Sequence, residues 1–143
     1  MSDANRTSHT ASKVFFAEKL VGFGASLRFD ARETRQDLQV LQDAFPKPED
    51  YDRALLEVLR YVTALMAGLK RGADLKGPLS GWQKCKGRSS TDSSGRDDLR
   101  IVFRALPNCV ELLGFGHRDE PWDLYGYIGA RAMLRAVSGK RHP

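Results

Sequence analysis

The sequence has few of the residues that mark secreted, membrane or metal-binding proteins. Its 143 residues include only two cysteines, which are too few for a disulfide framework and lack the partners of a zinc site. No apolar run approaches the ~20 residues that a membrane-spanning helix needs, and the polar first twelve residues do not resemble a secretory signal. These absences predict a cytoplasmic protein with reduced thiols and with no membrane segment, metal or cofactor.

Positive charge is concentrated in the second half of the chain. The formal net charge is +5, from 23 Lys and Arg against 18 Asp and Glu. Residues 1–69 contain nine basic and ten acidic side chains, whereas residues 70–143 contain 14 basic and eight acidic ones. A basic surface confined to one part of a protein favours a polyanionic partner. The length and the 41% of apolar residues are sufficient for one domain with its own core.

The N-terminal segment has a weak pattern. Residues 1–12 are polar and show no apolar period, which predicts a loose tail. Residues 13–24 fit either a short helix or a strand. We therefore expect residues 1–25 to form a partly disordered extension before the folded domain.

A short strand and a helical hairpin are predicted next. Residues 26–29 alternate between polar and apolar side chains, as a strand does. A helix is predicted to begin at Asp30, because its spacing to Glu33 fits a capping box. After a proline turn, a second helix begins at Pro48 and continues to a stop at Gly72.

The second half changes to a period of two, which predicts strands. Residues 82–87, 99–105 and 109–116 fit an antiparallel meander, and residues 123–137 fit a closing helix before a basic tail of residues 138–143. The order of elements predicts an α+β fold. In it, a two-helix hairpin packs on a mixed sheet, formed by the N-terminal strand and the three-stranded meander, with a short C-terminal helix.

Cationic side chains are predicted to share one open face of this sheet. Because side chains alternate along a strand, Lys84 and Lys86 point to the same face, and Arg100 and Arg104 share a face of the next strand. Further polar and aromatic groups follow the last strand: His117, Arg118, Trp122 and Tyr125. Cations crowded on one face repel one another, and an anionic ligand would explain their presence.

Three motifs in this order resemble the RelE/ParE superfamily of bacterial toxins. They are LKGPLSGW at residues 75–82, LRIVFR at residues 99–104 and LLGFGHR at residues 112–118, followed by Tyr125. The resemblance covers roughly residues 26–137 and implies a RelE-like toxin domain over that range.

The resemblance also implies a function. Enzymes of the RelE branch are metal-independent endoribonucleases that cut messenger RNA in the ribosomal A site and so inhibit translation. The ribose 2′-OH attacks the adjacent phosphate, which requires a base, a stabilised phosphorane and a proton for the leaving oxygen. The implied partners are mRNA, the ribosome and a cognate antitoxin protein that covers the site.

Residue by residue, the resemblance implies a catalytic set in this chain: Lys84, Lys86, Arg100, His117, Arg118 and Tyr125. The arginines would hold the phosphate as planar charged groups, and His117 is the expected general acid. A lysine crowded by other cations has a lowered pKa and would act as the base. Further RNA contacts are expected from three residues: Lys76, Trp82 and Arg104.

Two other interpretations stay open. The ParE branch of the superfamily inhibits DNA gyrase without cutting RNA, and it lacks the set formed here by His117, Arg118 and Tyr125. A non-catalytic nucleic-acid-binding relative of the toxin fold is the second alternative. The chain also departs from the family in a long turn at residues 88–98 and in a stretched segment between Arg118 and Tyr125.

Overall fold

The computed structural model describes residues 2–89, 95–121 and 123–140, and the side chains of these residues except 2–10 and 138–140. Within these ranges the chain is an α+β protein. Its helices are α1 (Ser2–Gly22), α2 (Ala31–Ala44), α3 (Pro48–Met66) and α4 (Leu124–Lys140). Its strands are β1 (Leu27–Arg28), β2 (Ala73–Asp74), β3 (Gln83–Gly87), β4 (Leu99–Ala105) and β5 (Val110–His117). None of the described helices has both the length and the apolar character needed to cross a membrane.

The strands form one mixed sheet in the order β1-β5-β4-β3-β2. The short β1 runs parallel to β5, and the other neighbours are antiparallel. Lys86 on β3 pairs with Arg100 on β4, and Leu99 pairs with His117 on β5. The predicted meander is therefore present, with β2 as an additional two-residue edge strand.

Each face of the sheet is covered by its own apolar cluster. On the hairpin face, which packs on α1, α2 and α3, the sheet contributes Cys85, Leu99, Ile101, Phe103, Leu112 and Phe115. On the α4 face, Trp82, Val102 and Leu113 pack with Leu79 and with Leu124, Ile128 and Ala132 of α4. The alternation predicted for β4 is confirmed. The face opposite the hairpin, however, is not open as expected, because α4 covers part of it.

The expectation of a loose N-terminal tail is wrong for residues 2–12, which belong to α1. Two side chains four residues apart, Phe16 and Leu20, are 1% and 0% exposed and join the core under the hairpin face. The Phe16 ring lies 5.1 Å from that of Phe115, centroid to centroid. The helix is stabilised by this tertiary packing rather than by a strong apolar stripe of its own.

The hairpin begins as predicted and ends earlier. The Asp30 carboxylate accepts a 3.0 Å hydrogen bond from the Glu33 backbone N–H, which lowers the pKa of Asp30, and Pro48 opens α3. The stop expected at Gly72 is wrong, because α3 ends at Met66 and Gly68 adopts a left-handed φ of 72°. Gly72 instead allows the backbone to pass close to Phe103, because a Cβ there would lie 2.7 Å from the ring.

A buried ion pair fixes the closing helix, which is longer than the predicted short one and extends to Lys140. The Arg131 guanidinium lies 2.8 Å from the Asp37 carboxylate of α2. Asp37 also accepts hydrogen bonds from the Phe115 backbone N–H (3.2 Å) and the Tyr127 hydroxyl (3.3 Å). Gly114 makes room for this network, because a Cβ there would lie 2.7 Å from Arg131. The network therefore joins α2, β5 and α4.

Replacing Arg131 by alanine should lower the free energy of unfolding by ~3–5 kcal/mol, since Asp37 would remain as an unpaired buried carboxylate. Burial raises the pKa of Asp37 to about 6, and the guanidinium opposes that rise. A carboxyl whose pKa rises on folding favours the folded state at low pH and penalises it as the pH rises past that pKa. Without Arg131 the pKa of Asp37 rises further, so the ionised form is penalised more than in the wild type. The loss of unfolding free energy caused by Arg131→Ala should therefore be smaller at about pH 5, where Asp37 is mostly protonated, than at about pH 7.5.

Urea unfolding of the wild type and of Arg131→Ala at the two pH values measures the loss of unfolding free energy. Arg60→Ala is the matched control, because Arg60 is exposed and, among the described residues, pairs with Glu57 alone, at 3.2 Å. Its loss should stay below ~1 kcal/mol. An Arg131→Ala protein as stable as this control would contradict the structural importance of the buried pair.

Candidate functional site

The structure brings three of the predicted cations together on the α4 face. Lys84 and Lys86 flank Cys85, which is buried on the hairpin face, so both lysines point the other way. The register places Arg100 beside Lys86 on the neighbouring strand. Tyr125, in the first turn of α4, lies close by, with its ring centroid 6.0 Å from Lys84 Nζ. We call Lys84, Lys86, Arg100 and Tyr125 the basic cluster.

Arg100 is the buried centre of the basic cluster, at 7% exposed. Its Nη1 atom donates hydrogen bonds to the backbone carbonyls of Asp97 (2.6 Å) and Leu99 (2.8 Å). Among the residues that the structure describes, no carboxylate forms an ion pair with it. Buried cations are normally paired with an anion. The guanidinium is thus held in place by neutral groups and keeps its full positive charge.

The turn before β4 positions the guanidinium, and sequence reasoning missed how. Asp98 is buried, and its carboxylate accepts hydrogen bonds from the Ser89 backbone N–H (2.8 Å) and hydroxyl (2.5 Å). This contact ties the end of the β3–β4 connection to its beginning. The signal available in the sequence was the pair Asp97 and Asp98 directly before β4. Because Asp98 is anchored to Ser89, the backbone carbonyl of Asp97 is held beside Arg100.

Tyr125 contributes a hydroxyl at the edge of α4. The oxygen is buried and has no well-aligned hydrogen-bond partner among the described residues, although the Arg100 guanidinium is close enough to influence it. Burial raises the pKa of Tyr125, and the positive charge of Arg100 opposes the rise. The phenol therefore stays protonated at neutral pH and is available as a hydrogen-bond donor.

The surroundings of Lys84 lower its pKa. Burial lowers its pKa, and the charges of Lys86 and Arg100 lower it further. All three effects destabilise the ammonium form. Of the lysines whose surroundings the structure describes, Lys84 therefore fits the role of proton acceptor.

His117 does not join the basic cluster, so its expected place on the shared face is wrong. It pairs with Leu99 and lies two residues after Phe115, so both side chains are on the same face of β5. The ring of His117 is therefore on the hairpin face, 5.7 Å from the ring of Phe45. Its side chain is only 13% exposed. Its Nδ1 atom accepts hydrogen bonds from the backbone N–H groups of Asp119 (3.2 Å) and Glu120 (3.0 Å). His117 thus caps the turn after β5.

The same three residues, His117, Asp119 and Glu120, bring possible metal-ligand atoms within 4.8 Å of one another. The Nδ1 atom already accepts hydrogen bonds from two backbone N–H groups, and exposed acidic residues such as Asp119 and Glu120 are common without an ion. We therefore interpret this group as a turn cap.

Arg118 follows β5 and is partly exposed. Its side chain pairs with Asp119 at 3.3 Å, and its backbone N–H donates to the Asp98 carbonyl at 2.9 Å. The backbone contact places it near the β4 end of the basic cluster. Its charge, however, is shared with Asp119 rather than left free.

The residues expected to make further RNA contacts have other environments. Trp82 is buried in the α4-face cluster, where a base cannot stack on it, so that expectation is wrong. Arg104 lies over the Trp82 ring at 4.3 Å and pairs with Glu111 at 2.7 Å. Lys76 is exposed at the tip of the β2–β3 hairpin, just before the turn Gly77–Leu79. Trp122 lies outside the described residues.

Replacing Lys86 by alanine should raise the pKa of Lys84 toward its ordinary value, because one of the two neighbouring positive charges is removed. Titration of the Lys84 side-chain signals by NMR measures the shift. The control is Arg32→Ala, which removes one positive charge from an exposed position of α2. If both proteins gave the Lys84 pKa of the wild type, the lysines would not interact.

Comparison with protein-family models, with curated proteins and with solved structures gives no match for this chain. The family suggested by the three motifs is therefore still a resemblance. Any function has to be argued from the residues of the basic cluster, their burial and their charges.

Proposed function

We propose that this chain is a RelE-like toxin, an endoribonuclease that binds single-stranded mRNA at the basic cluster and cleaves it without a metal. The observation that supports this most directly is Arg100, a buried guanidinium with no carboxylate partner among the described residues, beside Lys84 and Tyr125. Lys84, Lys86, Arg100 and Tyr125 are also four of the six positions that the motif resemblance implies. A phosphodiester is the anion that this combination of residues fits.

The proposed chemistry is transesterification within the RNA strand. Neutral Lys84 accepts the proton of the ribose 2′-OH, whose oxygen forms a bond to the adjacent phosphorus while the bond to the 5′-oxygen breaks. The lowered pKa of Lys84 supports this assignment. The products are a 2′,3′-cyclic phosphate and a free 5′-OH, so no oxidant or second substrate is needed.

Two further roles, stabilisation of the phosphorane and protonation of the leaving oxygen, are assigned to the other residues of the basic cluster. Arg100 stabilises the additional negative charge of the phosphorane, because it is a buried cation held by backbone carbonyls, and the exposed Lys86 adds a second positive charge. The Tyr125 hydroxyl supplies a proton to the leaving 5′-oxygen, since it remains protonated at neutral pH. Arg118, which shares its charge with Asp119, is assigned a weaker phosphate contact.

The ribosome and an antitoxin belong to this proposal as partners. The excess of positive charge in residues 70–143 supports a nucleic-acid partner and an acidic protein that competes for the same surface. The proposed outcome in the cell is inhibition of translation by loss of mRNA.

A non-catalytic RNA-binding protein is the second candidate, and the position of His117 favours it. The imidazole expected to serve as general acid lies on the hairpin face and caps a turn. Without that group, the cluster would still bind phosphates. RNA cleavage and RNA binding therefore have to be measured separately.

The first experiment incubates the purified full chain with single-stranded RNA, with and without translating ribosomes, and maps the new 5′ ends. Lys84→Gln and Tyr125→Phe should each slow cleavage by about 10²–10⁴-fold, the range for loss of an acid or base. Lys47→Gln, at an exposed position before α3, is the matched control and should cleave at the wild-type rate. Intact RNA with the wild-type protein at high dose would rule out the nuclease.

His117→Gln should leave the cleavage rate within about threefold of the wild type, because the ring is on the other face of the sheet. It should lower the free energy of unfolding by ~0.5–1.5 kcal/mol, since two exposed backbone N–H groups exchange their imidazole acceptor for water. Cleavage assays and urea unfolding on the same preparation measure both effects. A loss of cleavage as large as that of Lys84→Gln would return His117 to the catalytic set.

A further inference from the structure

Two cations that the sequence motifs do not indicate, Lys70 and Arg71, lie near the edge of β3. They line a cleft of about 320 Å³ next to the basic cluster. The charged residues of the cleft are Lys70, Arg71, Lys84, Lys86 and Asp97. Two of the four cations, Lys84 and Lys86, also belong to the basic cluster. The cleft is therefore continuous with the proposed cleavage site.

The cleft exists because the edge strand β2 is very short. Its two residues pair only with Lys84 and Gln83 of β3. Immediately before β2, Gly72 lies so close to Phe103 that a Cβ would overlap the ring at 2.7 Å. Within the described residues, no strand pairs with β3 from Cys85 onward along this edge. The segment containing Lys70 and Arg71 instead presents exposed side chains beside it.

The charges of this cleft are not neutralised within the described part of the chain. None of its four cations forms an ion pair with a carboxylate there. Asp97 is the single acidic residue among those lining the cleft, and it is 3.5 Å from the Arg88 guanidinium. The Lys70 ammonium lies 4.8 Å from the centroid of the Tyr61 ring, which orients it without neutralising it. Such a group of cations attracts a phosphate.

We propose that Lys70 and Arg71 bind a backbone phosphate of the same RNA strand, at a nucleotide beyond the one held by Arg100. This inference rests on the proposed function, because it extends that RNA-binding surface along β3. Contacts to the phosphate backbone set affinity and register and do not read bases. Lys70 and Arg71 therefore hold the strand in place, while Lys84, Arg100 and Tyr125 act on the scissile phosphate.

The test measures binding of a single-stranded 2′-O-methyl RNA, which cannot be cleaved because its 2′-oxygen is blocked. The double variant Lys70→Ala/Arg71→Ala should raise the Kd at least about tenfold near 0.1 M salt. It should also reduce the slope of log K against log salt by about 0.7, because one phosphate contact on the single strand is lost. Both replaced side chains are exposed, so folding should be preserved.

The matched control removes the same number of charges elsewhere. Arg32→Ala/Arg35→Ala changes two exposed arginines of α2, the helix that packs next to β5 rather than β3. Its Kd should rise less than about threefold, from the change of net charge alone. A rise equal to that of the Lys70/Arg71 variant would overturn the proposal, since charge and not position would then explain it.

A gain-of-affinity variant excludes damage to the fold as an explanation. Asp97→Asn removes the carboxylate from the cleft but keeps the backbone carbonyl that accepts from Arg100. It should lower the Kd several-fold. Unchanged or weaker RNA binding by this variant would count against the cleft as a phosphate site.

The outcomes also separate this inference from the proposed function. If the wild type cleaves unmodified RNA but the Lys70/Arg71 variant binds 2′-O-methyl RNA as tightly as the wild type, the inference alone fails. If the wild type binds RNA without cleaving it and the variant binds weakly, the cleft is supported and the nuclease fails. If the wild type binds no RNA, or binds only an acidic protein, both are overturned.

Discussion

The buried ion pair between Arg131 and Asp37 joins the C-terminal helix to α2, and its hydrogen bonds to Phe115 and Leu113 attach both helices to β5. The candidate site depends on that attachment. Because α4 is held at Arg131, its first turn lies over β3 and β4, where Tyr125 reaches Lys84 and Arg100. A glycine at position 114 leaves the space that the pair occupies. Arg135 adds contacts to Glu33 at 2.6 Å and to Glu111 at 3.2 Å. A network that stabilises the fold thus also sets the geometry of the site, where Tyr125 lies about 1.7 turns from Arg131 along the same helix.

The basic cluster works against stability, which is a reason to regard it as functional. Lys84, Lys86 and Arg100 share one face without a carboxylate partner among the described residues, and each lowers the stability of the others through repulsion. Elsewhere on the same face the arginines are neutralised, as Arg104 is by Glu111. The contrast is between two positions of one strand, β4, four residues apart. If this surface were purely structural, a carboxylate near Arg100 would stabilise it, as Glu111 does near Arg104.

The fold was predictable wherever a short-range pattern decides the structure. The period of two in β4 gave the correct faces for Leu99, Ile101 and Phe103, and Asp30 and Pro48 marked the helix starts. The sequence leaves residues 13–24 open between helix and strand and does not predict the first half of α1. Among the described side chains of α1, Phe16 and Leu20 alone are deeply buried, and that burial requires α3 and the sheet. His117 shows the limit of the motifs: their order suggests the face of the basic cluster, whereas the strand alternation that puts Phe115 on the hairpin face puts His117 there as well. The cleft at Lys70 was not predictable, since it depends on where β2 ends.

Lys84 is subject to two opposing requirements, and its neighbours reconcile them. A base must lose its proton readily, and the charges of Lys86 and Arg100 favour that loss while the site is free of anions. A bound phosphate reverses the effect, because a nearby negative charge stabilises the ammonium form. If Lys84 alone held the phosphate, the full effect of that negative charge would act on its ammonium group. An arginine guanidinium is a permanent cation, so Arg100, together with Lys86, neutralises the scissile phosphate and weakens this effect on Lys84. By the same argument, a phosphate in the cleft has to be neutralised by Lys70 and Arg71, since otherwise its charge would act on Lys84.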